Sequence, residues 1–490
     1  MKRLFVFIIS ILFVLPIFAA KKAKVQQVDS LGRKIKTGWN FGALPSVAFD
    51  ADLGFQGGAL ANIYYYGDGS QYPEYIHSLY AEAAYTTKNY GIFRVNYDSK
   101  YLIPKHRLTL DATYQPDAMC DFYGFNGYQS IYNQSLHKWN KNPENMDVDT
   151  YQSRAFYKYQ RNLFRFTADI EGTIWKNIKW NAGVGVLGYM IDTCDIDMLN
   201  GKNEFNPGQS LAEQKAMDPN VEGLYEKYVR WGLIDKAEAR GGWHPYLRVG
   251  LTYDSRDIRA CPTKGIYADA FFTYTAAFGE QAAAGYNHLQ FNFNFRHYVS
   301  LYKDRVIFAY RLGTQNNIAG KSPFYMNSYL NTIFIQRVMY EGLGGANSLR
   351  GIMRNRILAN GFAYANIELR TKVAKFDIGK QHFYIGLVPF FDLGVITQPY
   401  ELDEATIKDK HTEDLNNNPK YTLPLDKYFV LDENGNIDQS EVYLPHMAAG
   451  LGLKIAMNEN FVFSVDWAMA LNKQDNAKWA NFYIKMGYLF

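Results

Sequence analysis

The side chains best suited to ion pairing lie around a glycine-rich segment in the second half of the chain. Residues 343–351 read LGGANSLRG and place Arg350 beside Gly351, and two carboxylates follow at Glu368 and Asp392. A guanidinium presents five donors in a rigid fork, which is enough for two carboxylates, and it stays charged at any relevant pH. Taken by themselves, these residues indicate an ordinary cluster of charges.

Residues that could support hydrolysis or metal binding are scarce. His297 and Ser300 are the nearest pair of base and nucleophile, but three residues apart on a strand they point to opposite faces. The acidic run at 432–441 is similar to part of a calcium loop, yet Val430 stands where the first ligand should be. The sequence therefore predicts no enzyme, no metal site and no cofactor.

The segments that would position the two carboxylates have apolar residues at every second position. This period of two is typical of strands with one face in lipid and the other toward a barrel lumen. On this pattern the residues expected to point inward with the carboxylates are Asn366, Arg370, Phe390 and Gly394. Similar runs recur along the chain about sixteen times, which predicts an all-β fold, a sixteen-stranded antiparallel transmembrane barrel.

The connections between these strands support the same fold. Long polar connections at 119–154, 193–243, 316–357 and 397–442 all follow odd-numbered strands, whereas the clearest short turns follow even-numbered ones. A barrel with both termini in the periplasm predicts this split, because periplasmic turns are short and extracellular loops are long.

The first residues indicate export. Lys2 and Arg3 precede an apolar run at 4–18 and then two alanines, which predicts a signal peptide at 1–20. Residues 21–40 would form a short periplasmic segment and residues 41–490 the barrel. Apart from the signal, the sequence has no run of the roughly 18 apolar residues that a transmembrane helix needs.

The composition favours a membrane protein over other classes. Aromatic residues make up 16% of the chain, with 39 Tyr and 33 Phe, and we interpret them as girdles at the edges of a bilayer. The formal charge of +4 includes the signal's Lys2 and Arg3, so it gives no case for nucleic acid. Three cysteines are too few for a disulfide framework, although a Cys120–Cys194 bridge is conceivable.

The glycine-rich segment is similar to a signature of the bacterial surface-antigen superfamily, the BamA- and TamA-type outer-membrane barrels. The strand FAYANIELR at 362–370 follows this segment, and three further pieces of the chain match that family's order: YDSRD at 253–257 with Pro262 and Gly265, FFDLG at 390–394, and the closing strand to Phe490. Four such pieces, each at the expected strand or loop, are hard to obtain by chance.

The resemblance implies a role for particular residues. Arg350 would fold back into the lumen with an extracellular loop and bond Glu368, Asp392 or both, supported by the motif residues Gly344, Gly345, Gly351, Arg370, Phe390 and Gly394. Tyr488 and Phe490 would form the terminal strand signal, on the lipid-facing side of a last strand at 480–490.

The resemblance also implies a function. Family members insert or export proteins at the outer membrane, and here the clients could be proteins or lipids. The 20 residues at 21–40 leave no room for POTRA domains, so a periplasmic or lipoprotein partner subunit is expected to replace them. The poorly pairing residues Gly42, Pro45 and Gly54 favour a first strand that opens. The alternative is a passive pore or a structural subunit of an envelope complex.

Overall fold

Sixteen strands form the framework of the fold. The structure, a computed structural model, describes residues 35–490 except 73, 141–149, 211–212, 260, 336–341, 379–380, 420, 459–460 and 479. The predicted signal peptide at 1–20 and most of the segment at 21–40 lie outside the described residues. The strands are β1 (Trp39–Asp50), β2 (Gly54–Tyr65), β3 (His77–Thr86), β4 (Gly91–Ile103), β5 (His106–Asp121), β6 (Lys158–Trp175), β7 (Ile178–Asp192), β8 (Gly241–Asp254), β9 (Gly265–Thr275), β10 (His288–Tyr302), β11 (Val306–Gly320), β12 (Gly361–Ile378), β13 (Gln381–Gln398), β14 (His446–Met457), β15 (Phe461–Ala470) and β16 (Asn481–Met486).

The strands pair in sequence order and close into one antiparallel barrel, in which β16 returns to β1. This confirms the predicted sixteen-stranded fold. The period of two is visible along β10, where Asn292 and Asn294 are fully buried while Phe291 and Phe293 face outward and are partly exposed. The polar face of each strand therefore lines a filled lumen, and the apolar face forms the outer wall.

The helices are short and lie in the connections. They are α1 (Ile196–Asn200), α2 (Leu224–Arg230), α3 (Gly279–Ala283), α4 (Phe324–Asn327) and α5 (Glu404–Asn417), with 3-10 turns at Gly127–Gln129, Gln134–Leu136, Leu425–Lys427 and Ser440–Tyr443. Among the residues that the structure describes, no helix has both the length and the apolar character to cross a membrane.

The described residues of four long connections pack together over one end of the barrel. We call them the cap: the described parts of 122–157, 193–240, 321–342 and 399–445, in the connections that follow β5, β7, β11 and β13 as the parity of the sequence predicted. Phe122 lies at its centre, with its ring 5.2 Å from Tyr228 and 6.0 Å from Phe324, each from a different connection. Many of the aromatic residues interpreted as lipid girdles are thus core residues of the cap.

The other end, which we call the turn end, has mostly short connections. Three of them are the turns at 104–105, 176–177 and 303–305. The longer connection at 255–264 brings Cys261 to Tyr384 of β13 and Val462 of β15. All three cysteines are free, so the structure contains no Cys120–Cys194 bridge.

Candidate functional site

The glycine-rich segment lies inside the barrel, and we call residues 343–357 the inner segment. Gly344 has φ +115°, and a Cβ there would stand 2.2 Å from the backbone oxygen of Met353. Gly351 has φ +92°, and a Cβ would meet the backbone of Met469 at 2.9 Å. Gly345 completes the turn, while a Cβ on Gly394 of β13 would clash with the inner segment. These motif glycines allow the segment to lie flat against the barrel wall.

Arg350 stands at the centre of the inner segment and is fully buried. Its Nε and Nη2 donate to the two oxygens of Asp392 at 2.9 and 3.0 Å, and its Nη1 donates to Oε1 of Glu368 at 2.8 Å. The guanidinium carbon also lies 3.5 Å from the centre of the Phe390 ring. The structure therefore brings together the arginine, the two carboxylates and the aromatic ring that the sequence singled out, in the planar geometry that favours arginine.

Two further residues of this cluster were missed by sequence reasoning. Asp466 of β15 lies 3.7 Å from Nη1 of Arg350, and Lys454 of β14 donates to Asp466 at 2.5 Å. With Arg370 of β12, the cluster holds three cations and three carboxylates, all buried, so its formal charges cancel.

Glu368 connects the inner segment with the end of the chain. Its second oxygen, Oε2, accepts from Nε of Arg370 at 2.8 Å, and Nη2 of Arg370 donates to the backbone oxygen of Phe490 at 2.8 Å. One carboxylate thus holds two arginines, of which one fixes the inner segment and the other fixes residues 487–490, which we call the tail.

The tail leaves the barrel wall and enters the lumen. β16 ends at Met486, and Gly487 turns the chain with φ +88°. The hydroxyl of Tyr488 lies 3.0 Å from that of Tyr384, and Phe490 is 8% exposed. The prediction that Tyr488 and Phe490 lie on the lipid-facing side of a strand at 480–490 is therefore wrong. The physical reason is Arg370, which offers the tail a cation–π contact and a hydrogen bond inside the barrel.

The first and last strands meet along a very short seam. Among the described residues, β1 pairs with β16 only at Phe49–Ile484 and Asp50–Tyr483, whereas it pairs with β2 along all twelve of its residues. A cavity of about 560 Å³ lies along this seam, lined by residues 44–50 of β1 and 483–486. Pro45 lies within β1 and not before it. This position agrees with the prediction that the first strand pairs poorly.

The inner segment contacts both sides of the seam. On the β16 side, Nζ of Lys485 donates to the backbone oxygen of Ala346 at 2.8 Å, and the backbone N–H of Gly351 donates to the Tyr483 hydroxyl at 3.1 Å. On the β1 side, the backbone N–H of Arg354 donates to Oδ2 of Asp52 at 3.2 Å. The segment therefore supports from inside the two strands that hardly pair with each other.

A closed antiparallel barrel with a polar lumen, an apolar outer wall and an inward-folded segment defines a membrane β-barrel protein. The sequence pattern described as the Omp85 superfamily domain matches residues 70–490. The chain belongs to the Omp85 superfamily. This confirms the predicted BamA- and TamA-type family, and membership implies a location in the outer membrane.

Several solved structures resemble the chain at low identity. BamA from Haemophilus ducreyi lacking POTRA domains 1–3 is 14% identical with a TM-score of 0.49, and the match covers 93% of this chain and 71% of that one. CdiB from Escherichia coli is 11% identical with a TM-score of 0.49, covering 92% and 62%, and CdiB from Acinetobacter baumannii is 11% identical with a TM-score of 0.43, covering 93% and 61%. The chain thus spans less than two thirds of either CdiB structure. No functionally curated protein matches the sequence.

Proposed function

We propose that this protein inserts proteins into the bacterial outer membrane, or moves proteins or lipids across it, by receiving them at the seam between β1 and β16. The observation that carries this proposal is the free edge of β1. Residues 39–48 have no partner on the β16 side among the described residues, because the pairing stops at Phe49.

A free strand edge is costly at the depth of a bilayer. Each unsatisfied backbone group in hydrocarbon costs several kcal/mol, roughly 2–7 by transfer measurements. A strand that adds itself to β1 would satisfy these groups, as in other cases of β-strand addition. An incoming client strand is therefore a better partner for this edge than lipid is.

The apolar side chains on this edge suit a membrane client. Phe41 and Val47 are 71% and 53% exposed on the outer face of β1, where they would meet the lipid-facing side chains of an added strand. Pro45 has no N–H, so the edge offers one donor fewer for a permanent partner. An edge that pairs incompletely favours release of the client after it has folded.

The alternative is a passive pore or a structural subunit of an envelope complex. The filled lumen favours the first proposal over a pore: the inner segment crosses the barrel, and the cap packs an aromatic core over one end. Planar-bilayer conductance separates the two, because a pore of this size conducts steadily, whereas a filled barrel stays closed.

We infer an orientation and partners from the same reading. Both termini lie in the periplasm, the cap faces outside, and the partner subunit is a periplasmic protein or lipoprotein that delivers client membrane proteins. The protein acts without a cofactor and without enzymatic chemistry. Crosslinking from positions 21–40 in intact cells, followed by identification of the captured protein, tests the existence of the partner.

A site-specific photocrosslinker on β1 tests the function directly. The purified chain, labelled at Val47, is reconstituted in liposomes and mixed with an unfolded β-barrel protein. We expect crosslinks to that protein from Val47, which is 53% exposed, and few from Leu251 of β8, which is 54% exposed on a strand paired on both sides. Equal crosslinking from the two positions, or none from Val47, would contradict the proposal.

A further inference from the structure

Three short turns at the turn end repeat one arrangement of side chains. The strands before them, β4, β6 and β10, each carry two consecutive exposed apolar residues at their end or one residue before it, one aliphatic and one aromatic: Tyr101–Leu102, Ile174–Trp175 and Leu301–Tyr302. A lysine follows each pair within three residues, at Lys105, Lys176 and Lys303. Alternation would normally bury one residue of each pair, so both members project from the barrel at the level where the wall ends.

The backbone at these turns does not explain the lysines. Lys105, Lys176 and Lys303 all have left-handed φ, at 66°, 45° and 48°. Glycine and asparagine adopt this conformation at least cost, and the chain does use asparagine in it at two other turns, Asn89 and Asn458. Lysine at three turns of the same end therefore indicates a requirement for the side chain.

The lysine charges are free to act on something outside the protein. All three side chains are exposed, and none forms an ion pair with a residue that the structure describes. Two lie beside the aromatic ring that precedes them: Nζ of Lys176 is 4.6 Å from the Trp175 ring, and Nζ of Lys303 is 5.8 Å from the Tyr302 ring. An aromatic ring next to a cation is typical of the boundary between hydrocarbon and headgroups.

The lysines occupy one side of the barrel. Their turns follow β4, β6 and β10, and the connection after β8 adds the exposed Lys264, so four successive connections at this end carry an exposed lysine. Nearer the seam, the connection at 66–76 carries Asp68 and Glu74 and no basic residue. The wall opposite the seam is thus cationic at this end.

We propose that Lys105, Lys176, Lys264 and Lys303, the basic rim, bind anionic phospholipid headgroups of the leaflet at the turn end. The aliphatic and aromatic pairs contact the upper acyl chains and the glycerol region, while the ammonium groups extend past them to the phosphates. An acidic soluble protein would fit the charges, but it would leave the exposed apolar pairs beneath them without a partner.

This inference does not depend on the proposed function, since it requires only that the barrel sits in a bilayer. Its consequence is asymmetric anchoring. The wall opposite the seam is held at a fixed depth by charge and aromatic contacts, whereas the described residues of the connection at 66–76, next to the seam, carry carboxylates instead.

The test measures which lipids the full chain retains. The protein is equilibrated with equal amounts of phosphatidylglycerol and phosphatidylcholine in mixed micelles, and bound lipids are counted by native mass spectrometry. We expect the wild type to prefer phosphatidylglycerol and K105Q/K176Q/K303Q to lose that preference, by about fivefold for each lysine removed.

The matched control removes three exposed lysines of the cap that form no ion pair with a described residue, as K138Q/K202Q/K236Q. This cap variant should keep the preference for phosphatidylglycerol. A change of gel mobility on heating shows that both variants fold. An unchanged preference in the rim variant, or an equal loss in the cap variant, would overturn the proposal. Capture of an acidic protein by the rim lysines without any lipid preference would overturn it as well.

Discussion

Phe49 lies opposite Ile484 in one of the two residue pairs that join the first strand to the last among the described residues. Continuing this register would place Val47 opposite Met486 and Ala43 opposite Phe490. Phe490 would then share the outer face with Phe49. Phe490 cannot lie in the lumen and pair with β1 at the same time. The position of the tail therefore limits the length of the seam.

Loss of Arg350 should release the inner segment while leaving the barrel intact. In Arg350→Ala, Glu368 and Asp392 lose their shared counter-charge, and breaking such a buried pair costs about 3–5 kcal/mol. We expect faster cleavage of residues 316–357 by added protease with unchanged heat-modifiable mobility. Arg350→Lys should restore protection only in part, because an ammonium cannot present a planar fork to two carboxylates.

The control for Arg350 is Arg107→Ala. Arg107 pairs with Asp98 at 2.6 Å on the barrel wall and forms no described bond with the inner segment. Its loss should leave cleavage of residues 316–357 unchanged. Equal sensitivity of both variants would mean that any lumenal ion pair has this effect, and the specific role of Arg350 would be lost.

Arg370→Ala should free the tail. Without its hydrogen bond to the Phe490 backbone and its contact with the Tyr488 ring, the tail loses its anchor in the lumen. We expect a disulfide between cysteines at positions 47 and 486 to form faster in this variant than in the parent, because a released tail extends β16 along β1. Slower or unchanged bond formation would show that Arg370 does not hold the tail.

Glu238 should make the cap sensitive to pH. It lies in the connection at 193–240, accepts from the backbone N–H of Phe324 at 2.8 Å, and is 6% exposed. Burial raises its pKa to about 7. The folded cap therefore keeps a proton that the unfolded cap releases near its ordinary pKa of about 4.3, so stability falls as pH rises from about 4 to 7, by at most about 4 kcal/mol.

Hydrogen exchange of the cap measures this effect. Protection of residues 224–239 should be lower at pH 8 than at pH 5.5, after correction for the intrinsic exchange rate. Glu238→Gln should remove the difference, whereas a matched change at the exposed Glu401 should not. A pH dependence that survives in Glu238→Gln would assign the titration to another group.

The sequence predicted the barrel and its inward residues because both follow from local alternation. Glu368 and Asp392 each lie in a strand whose apolar positions define the outer face, so their direction could be deduced from neighbours within a few residues. Membership of Asp466 and Lys454 in the same cluster could not, because it depends on the register between four strands and on the depth of the inner segment.

The positions of the tail and of the aromatic residues of the cap could not be predicted from local patterns, for a different reason. Tyr488 and Phe490 continue the alternation of β16, and the pattern contains no sign that Arg370 competes for them in the lumen. Likewise, a count of aromatic residues does not tell a ring at the lipid boundary from Phe122 or Trp231, which are buried among connections far apart in sequence.

The most direct test of the account is a lock across the seam. The native cysteines are first replaced, and a disulfide between V47C and M486C then closes the free edge of β1. The control is a disulfide between V249C and F272C, which are paired residues of β8 and β9 on the opposite wall. Insertion of an unfolded β-barrel protein into proteoliposomes is measured before and after reduction. We predict that the locked seam lowers insertion to the level of protein-free liposomes, that reduction restores it, and that the control stays active. Full insertion through a locked seam would contradict the account.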